Sequence, residues 1–294
     1  MKYAELVKAV NGILAEYSMP LTLRQVYYRL VAKNLIANTK TSYKGLSSQL
    51  VKAREDGDVD DSKIEDRSRK VQGYGDYGYS SVQQFIDSKI AQFQKAWENF
   101  SMPIWEGQQN YVLIALEKDA LSRLFVDVAN RFRVKVFATR GYGSYTFVKD
   151  MAGDLDPSKT NVILYFGDYD PSGRDIERDL GERAKRYDAS GCKFTIQRIA
   201  LTPAQIAEYN LPPVPEDAET LAKLSRDPRT KTYGMTYAVE LDAIEPNTLQ
   251  ELIRKAINAQ IDTDLWNTRR IEIDAKSAEV KKKFENVKVE FEEE

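Results

Sequence analysis

The chain has 294 residues, 42% of them hydrophobic and 30% charged, with a formal net charge of −2; that is room for two ordinary domains, and too close to neutral for a uniformly basic nucleic-acid binder. It holds no histidine and one cysteine, Cys192, which excludes Ser-His-Asp and Cys-His catalysis, histidine-ligated zinc and an intrachain disulfide. Chemistry is left to carboxylate, tyrosine, lysine, arginine or serine, in a chain expected to be intracellular and cytoplasmic: no apolar run approaches a membrane span, and Lys8 and Asn11 interrupt any signal-peptide pattern.

Leu6, Val10, Leu14 and Tyr17 recur at helical spacing, so residues 1–17 read as an amphipathic helix stopped by Met19-Pro20. Thr22 is placed to cap a second helix, from Leu23 to about Asn34. A third spans Tyr43 to Arg54, with Leu46, Leu50 and Val51 expected inward and Lys44, Ser48, Lys52 and Arg54 outward. Asp56 to Asp61 and Ile64-Glu65-Asp66-Arg67 follow. Three helices and a small hairpin make a winged helix of the CAP-like type, whose third helix enters the major groove. Residues 1–70 carry about 13 Lys and Arg against about 9 Asp and Glu, a basic excess suited to phosphate. A helical packing module with no DNA role is the alternative this stretch leaves open.

Ser68 to Ser81 reads as a linker, its Gly73, Gly75 and Gly78 alternating with tyrosines. Val82 to Phe100 places Phe85, Ile86, Ile90, Phe93 and Trp97 on one helical stripe, suited equally to a dimer contact and to packing on a sheet. Strands are then expected at Tyr111–Leu116, Val134–Ala138, Asn161–Phe166 and Lys193–Ala200, with helices at 120–130 and 174–186. This alternation predicts a doubly wound, Rossmann-like parallel sheet, and with the N-terminal part the fold class is α/β plus α+β. Residues 214–236 read as an exposed insertion, Tyr237–Ile244 as a last strand and Thr248–Ile261 as a helix. Ile271–Glu294 reads as a solvated helix or partly disordered tail. The expected division is 1–70, 71–104, 105–262 and 263–294.

Glu117 ends one predicted strand; Asp168 and Asp170 follow another. The carboxyl edge of an open α/β sheet is where ligands bind. Asp168 and Asp170 are two apart and point the same way in extended backbone. Converging carboxylates call for a hard divalent ion, Mg²⁺ with Mn²⁺ as substitute. The alternative is that such acids only cap the next helix or solvate a loop. Arg140, Gly141 and Gly143 form a glycine loop at the same edge, able to approach a phosphate closely.

Glu117-Lys118 and Asp168-Tyr169-Asp170-Pro171-Ser172-Gly173 resemble the Toprim domain, and more narrowly that of type IIB DNA topoisomerase (topoisomerase VI) A subunits and their meiotic relatives. Arg24-Gln25-Val26-Tyr27-Tyr28-Arg29-Leu30 resembles the cleavage motif of the same subunits, and Glu240-Leu241-Asp242-Ala243 the end of their domain. The chain is shorter than typical A subunits and more similar to compact stand-alone relatives, such as the mini-A group and the Toprim proteins of mobile elements. The resemblance implies that Glu117, Asp168 and Asp170 bind Mg²⁺ and that Tyr28 attacks the DNA backbone, forming a 5′-phosphotyrosine link, with Tyr27 its neighbour and Arg24 its supporting cation. A phenol with a pKa near 10 needs such help. Glu117 is alternatively a proton shuttle. DNA contacts are expected from Tyr27, Lys44, Lys52, Arg54, Lys118, Arg140, Gly141 and Gly143. The resemblance also implies a nucleoid-associated homodimer on double-stranded DNA, one subunit's tyrosine meeting the other's metal site, and a separate ATPase subunit of the B type for strand passage. Two further readings stay open: a Toprim nuclease that uses water, and a non-catalytic DNA-binding protein of a mobile element. Glu240 is expected to support the metal site or the DNA path, or to be structural.

Overall fold

The computed structural model describes residues 2–65, 78–214, 222, 224–285 and 287. Contacts divide the chain into two units, Met1–Arg69 with Asn110–Gln260 and Lys70–Gln109 with Ile261–Glu294. The four expected segments are thus regrouped: the N-terminal helices share a unit with the sheet, and the connecting segment shares one with the C-terminal helix.

In the first unit, α1 (Tyr3–Ala15), α2 (Leu23–Ala32) and α3 (Lys40–Glu55) form where helical spacing predicts them. Leu6, Val10 and Leu14 of α1, Val26 and Leu30 of α2, and Leu46, Leu50 and Ala53 of α3 are buried, one apolar stripe per helix. Val51 is not inward as expected; it is 50% exposed, because a residue next to Leu50 is turned about 100° from it on a helix. Thr22 caps α2 as expected. Its hydroxyl accepts from the Gln25 N–H at 3.2 Å, and Gln25 Oε1 accepts from the Thr22 N–H at 2.8 Å, a reciprocal capping box. Two short strands, β1 (Leu21–Thr22) and β2 (Ile64–Glu65), pair in parallel. The expected hairpin does not form among the described residues, since β2 pairs in parallel with β1 and a hairpin is antiparallel; residues 66–67 and the expected linker as far as residue 77 lie outside the described residues.

The next helix, α4 (Val82–Gln94), belongs to the second unit. The first unit resumes with β3 (Asn110–Leu116), β4 (Lys135–Ala138), β5 (Thr160–Phe166) and β6 (Phe194–Ala200), all parallel, in the order β4-β3-β5-β6. Their alternate residues face opposite layers. Leu113, Ala115, Ile163 and Tyr165 join Val148 and Met151 of α6 (Tyr145–Gly153) and Ile176, Leu180 and Ala184 of α7 (Pro171–Tyr187) in one buried cluster. On the opposite face Phe166 meets Phe125 of α5 (Ser122–Ala129) edge to face, ring centres 4.8 Å apart. Two short helices, α8 (Pro203–Glu208) and α9 (Pro228–Tyr233), precede α10 (Pro246–Asn258), which packs on α5 and β6 with Leu249, Ile253 and Ile257 buried.

The strand expected over 237–244 does not form. Val239 makes a single antiparallel bridge to Tyr169, and Leu241–Ala243 is a 3-10 turn. The Leu241 N–H that a ladder would use donates instead to Asp168 Oδ1 at 2.7 Å, and a backbone donor so captured is lost to a sheet. The insertion over 214–236 contains α9, capped by Asp227 and closed at Gly234 with φ +63°; its residues 215–221 and 223 lie outside the described set.

In the second unit, the helix expected to reach Phe100 ends at Gln94 and continues as a 3-10 turn, Ala96–Asn99. The tail is helical in α11 (Thr263–Glu285), and residues 286 and 288–294 of the expected tail lie outside the described residues. Trp105 packs edge to face on Trp266 at 5.3 Å, and Phe93 meets Phe284 at 5.6 Å. Gln108 exchanges two hydrogen bonds with the Asp262 backbone, at 2.8 and 3.0 Å. Among the described residues no helix is long and apolar enough to cross a membrane.

Candidate active site

Strand order decides where the site lies. The chain leaves β3 toward α5 and β4 on one side, and leaves β5 toward α7 and β6 on the other. The crevice between the carboxyl ends of β3 and β5 is therefore the switch point of the sheet. The two strands run in register to Leu116 and Phe166, and the Glu117 N–H donates to the Phe166 carbonyl at 2.9 Å. Glu117 and Asp168 thus emerge side by side.

Glu117 is buried. Its Oε2 accepts from the Asp168 N–H at 3.0 Å and from the Tyr165 hydroxyl at 3.3 Å. A Cβ on residue 167 would stand 2.4 Å from that oxygen; one on residue 173 would stand 2.5 Å from the Asp168 carbonyl oxygen and 3.0 Å from Glu117 Oε2. Glycine at both positions makes room for the carboxylate. Asp170 caps α7, its Oδ1 accepting from the Gly173 N–H at 2.6 Å, with Pro171 at the first helical position. The capping alternative is therefore realised for Asp170.

Lys118 is the cation of the cluster. Its Nζ lies 2.7 Å from Asp242 Oδ2, 3.1 Å from Asp168 Oδ1 and 3.7 Å from Glu240 Oε2. Burial lowers the ammonium, but the charges of Asp242, Asp168 and Glu240 overcome it and hold Lys118 above the ordinary lysine range. Glu240 also takes the Tyr28 hydroxyl on Oε2 at 3.2 Å and pairs through Oε1 with Arg24. Arg24 and Tyr28, four apart on α2, meet at this one carboxylate. Burial, then the charges of Asp168 and Asp170, push Glu117 above the usual glutamate range. Burial pushes Asp168 up against the pull of Lys118. Burial and Glu240 push the Tyr28 phenol up, with Arg24 and Lys118 opposing.

A cleft of about 580 Å³ opens over this cluster, and Arg24, Glu117, Lys118, Arg140, Gly141, Asp168, Glu240 and Asp242 line it with Tyr43. Six of the predicted site residues are thereby brought together. Arg140 stands at the cleft with its guanidinium 3.1 Å from Asp119, and Gly141 takes φ +87° there. Gly143 lies off the cleft, where a Cβ would stand 2.8 Å from the Phe147 ring. Tyr27 and Tyr28 are 2% exposed and do not line it. Lys44, Lys52 and Arg54 sit elsewhere on α3; Lys52 pairs with Asp56 and Arg54 with Asp61. Sequence reading gave Asp242, Tyr165 and Tyr43 no role. The signals for Asp242 were its place in the Glu240-Leu241-Asp242-Ala243 resemblance and its position two residues from Glu240 in an apolar run.

Among the described residues no three acidic side chains stand as a ready-made metal group. Of the three expected ligands, Glu117 and Asp168 line the cleft and Asp170 does not. Each hydrogen bond or ion pair of Glu117, Asp168 and Asp170 uses one carboxylate oxygen, Oε2, Oδ1 and Oδ1 in turn. The other oxygen of each is uncommitted among the described residues. The acids lining the cleft, Glu65, Glu117, Asp119, Asp168, Glu240 and Asp242, outnumber its cations, Arg24, Lys118 and Arg140, leaving excess negative charge.

The chain matches no protein-family model, no curated protein and no solved structure.

Proposed function

We propose that the chain cleaves double-stranded DNA at this cleft by metal-assisted transesterification, a tyrosine hydroxyl taking the 5′ phosphate of the broken strand. The observation that carries the reading is the unbroken polar path Tyr28–Glu240–Lys118–Asp168, which joins the tyrosine helix to the strand-edge acids within one unit. The motif order of the resemblance supports it, as do the three helices preceding a parallel sheet, read as a winged helix and a Toprim domain. Glu117, Asp168 and Asp170 would hold Mg²⁺ through their uncommitted oxygens; bound there, the ion neutralises charge on the phosphate. Arg24 and Arg140 bind the DNA backbone. Glu240, already accepting a tyrosine hydroxyl, is placed to take its proton. Lys118 holds Asp168 and Glu240 in position. Two copies of the chain would supply both nicks of a double-strand break, and a separate B-type ATPase would be needed for strand passage.

A second reading, a nuclease that uses water, is favoured by the 2% exposure of Tyr28. One experiment separates them: supercoiled DNA is incubated with the full chain and Mg²⁺, then quenched in detergent. Protein-linked ends support transesterification, and free ends support water. Circles left intact at every protein concentration sink both.

A further inference from the structure

We infer that the attacking hydroxyl is that of Tyr43 and that Tyr28 is a positioning residue for it. The inference rests on the tyrosine reading above and changes its nucleophile and, with it, the group that takes the phenol proton.

Three tyrosine rings stand edge to face, Tyr28 against Tyr27 at 5.2 Å and Tyr27 against Tyr43 at 5.2 Å. Their hydroxyls differ. That of Tyr27 donates to Asn38 Oδ1 at 2.9 Å, and that of Tyr28 to Glu240 Oε2 at 3.2 Å; both residues are 2% exposed. The Tyr43 hydroxyl makes no hydrogen bond among the described residues, and Tyr43 is only half-buried and lines the cleft with Glu117, Lys118 and Asp168. A nucleophile must bring an oxygen lone pair to phosphorus opposite the leaving oxygen. Of the three, Tyr43 is the one that lines the cleft. Tyr28 reaches it only by giving up its hydrogen bond to Glu240 and leaving the core, where it is 2% exposed.

Tyr43 is also held in place. Thr39 caps α3, its Oγ1 accepting from the Ser42 N–H at 3.1 Å, and the Tyr43 N–H donates to the Thr39 carbonyl at 3.0 Å. The Arg24 guanidinium sits over the Tyr43 ring, 5.2 Å from its centre. Arg24 is fixed by one oxygen of Glu240 while the other takes the Tyr28 hydroxyl. Tyr28 therefore acts on Tyr43 through Glu240 and Arg24.

In the step itself the Tyr43 oxygen bonds to phosphorus as the P–O3′ bond breaks. The phenol proton leaves to solvent in the open cleft, and the 3′ oxygen takes up a proton to become a hydroxyl. Nothing is oxidised or reduced.

The test maps the adduct. Full-length chain is trapped on DNA with Mg²⁺ in detergent, the DNA is digested, and the nucleotide-bearing peptide is identified by mass spectrometry for wild type, Tyr43→Phe and Tyr28→Phe. The expected result is a nucleotide on Tyr43 in the wild type, loss of the adduct in Tyr43→Phe, and retention on Tyr43 in Tyr28→Phe. The Tyr28→Phe rate per folded molecule, with the folded fraction read by circular dichroism, falls about tenfold; a merely unstable variant would keep the wild-type rate on that basis. A nucleotide on Tyr28, or an adduct that survives Tyr43→Phe, overturns the inference and leaves the tyrosine reading standing. Wild-type cleavage with free ends, or none, removes the tyrosine reading and the inference with it. Should Tyr43→Phe fail to fold, the wild-type peptide decides alone.

Discussion

Gly167 and Glu117 touch so closely that residue 167 has no room for a side chain: its Cβ would lie 2.4 Å from Glu117 Oε2 and 2.7 Å from the Tyr165 hydroxyl. Gly167→Ala must turn the carboxylate away from the Asp168 N–H that it now accepts. The expected cost is about 1–3 kcal/mol, as for overpacking in a core. It should come with loss of any Mg²⁺-dependent rise in the thermal midpoint, because the same carboxylate serves the ion. Urea unfolding with and without Mg²⁺ measures both. A variant as stable and as Mg²⁺-responsive as the wild type would show that Glu117 has no fixed place.

Asp170 carries two roles that one pair of substitutions separates. Its Oδ1 caps α7, and Asn caps as well as Asp does, whereas Ala loses about 1 kcal/mol. Asp170→Asn should therefore keep wild-type stability and lose the stabilisation by Mg²⁺, and Asp170→Ala should lose both. If the Asn variant keeps the full Mg²⁺ response in a thermal melt, Asp170 is a cap and nothing more.

Lys118→Met removes the one ammonium, among the described residues, within 4 Å of Asp242, Asp168 and Glu240. Asp242 is 2% exposed and Asp168 9%, so two buried carboxylates lose their cation, and the expected destabilisation is about 3–5 kcal/mol. Mg²⁺ should recover more stability in this variant than in the wild type, since it supplies the missing positive charge. Chemical denaturation across a Mg²⁺ series checks this. A loss below about 1 kcal/mol, the value of an exposed pair, would mean that Lys118 is not central.

The legible parts of this fold are those set by local pattern. Buried parallel strands are continuous apolar runs, and 111–116 and 161–166 were bounded to within a residue. Thr22 announced its helix by side-chain chemistry alone. Glu117 and Asp168 followed because strand ends at a switch point fall together. What stayed hidden depends on contacts distant in sequence. The apolar residues of 237–244 looked like a strand, but Asp168, 73 residues earlier, takes the Leu241 N–H. Asp242 is buried because Lys118, 124 residues earlier, neutralises it. The second unit is closed by Trp105 on Trp266, which neither local stretch could show. Tyr43 sat unremarked in a helix read for its charged face.

Glu240→Gln tests the cleft as a DNA site. Glutamine can still accept the Tyr28 hydroxyl, but it offers no charge to Arg24 or Lys118. Because the Arg24 side chain is 39% exposed, solvent already screens its pair with Glu240, and the stability loss should be only about 1 kcal/mol. Freed from that pair, Arg24 gains a phosphate. The slope of log K against log salt for DNA binding should then steepen by about 0.9, while the cleavage rate falls because Arg24, no longer fixed by Glu240, stops holding the Tyr43 ring. Fluorescence anisotropy on a short duplex across a salt series reads the slope, and Arg24→Gln should return it to or below the wild-type value. An unchanged slope in Glu240→Gln would mean that DNA does not reach Arg24, and the cleft would lose its assignment as the place where the backbone lies.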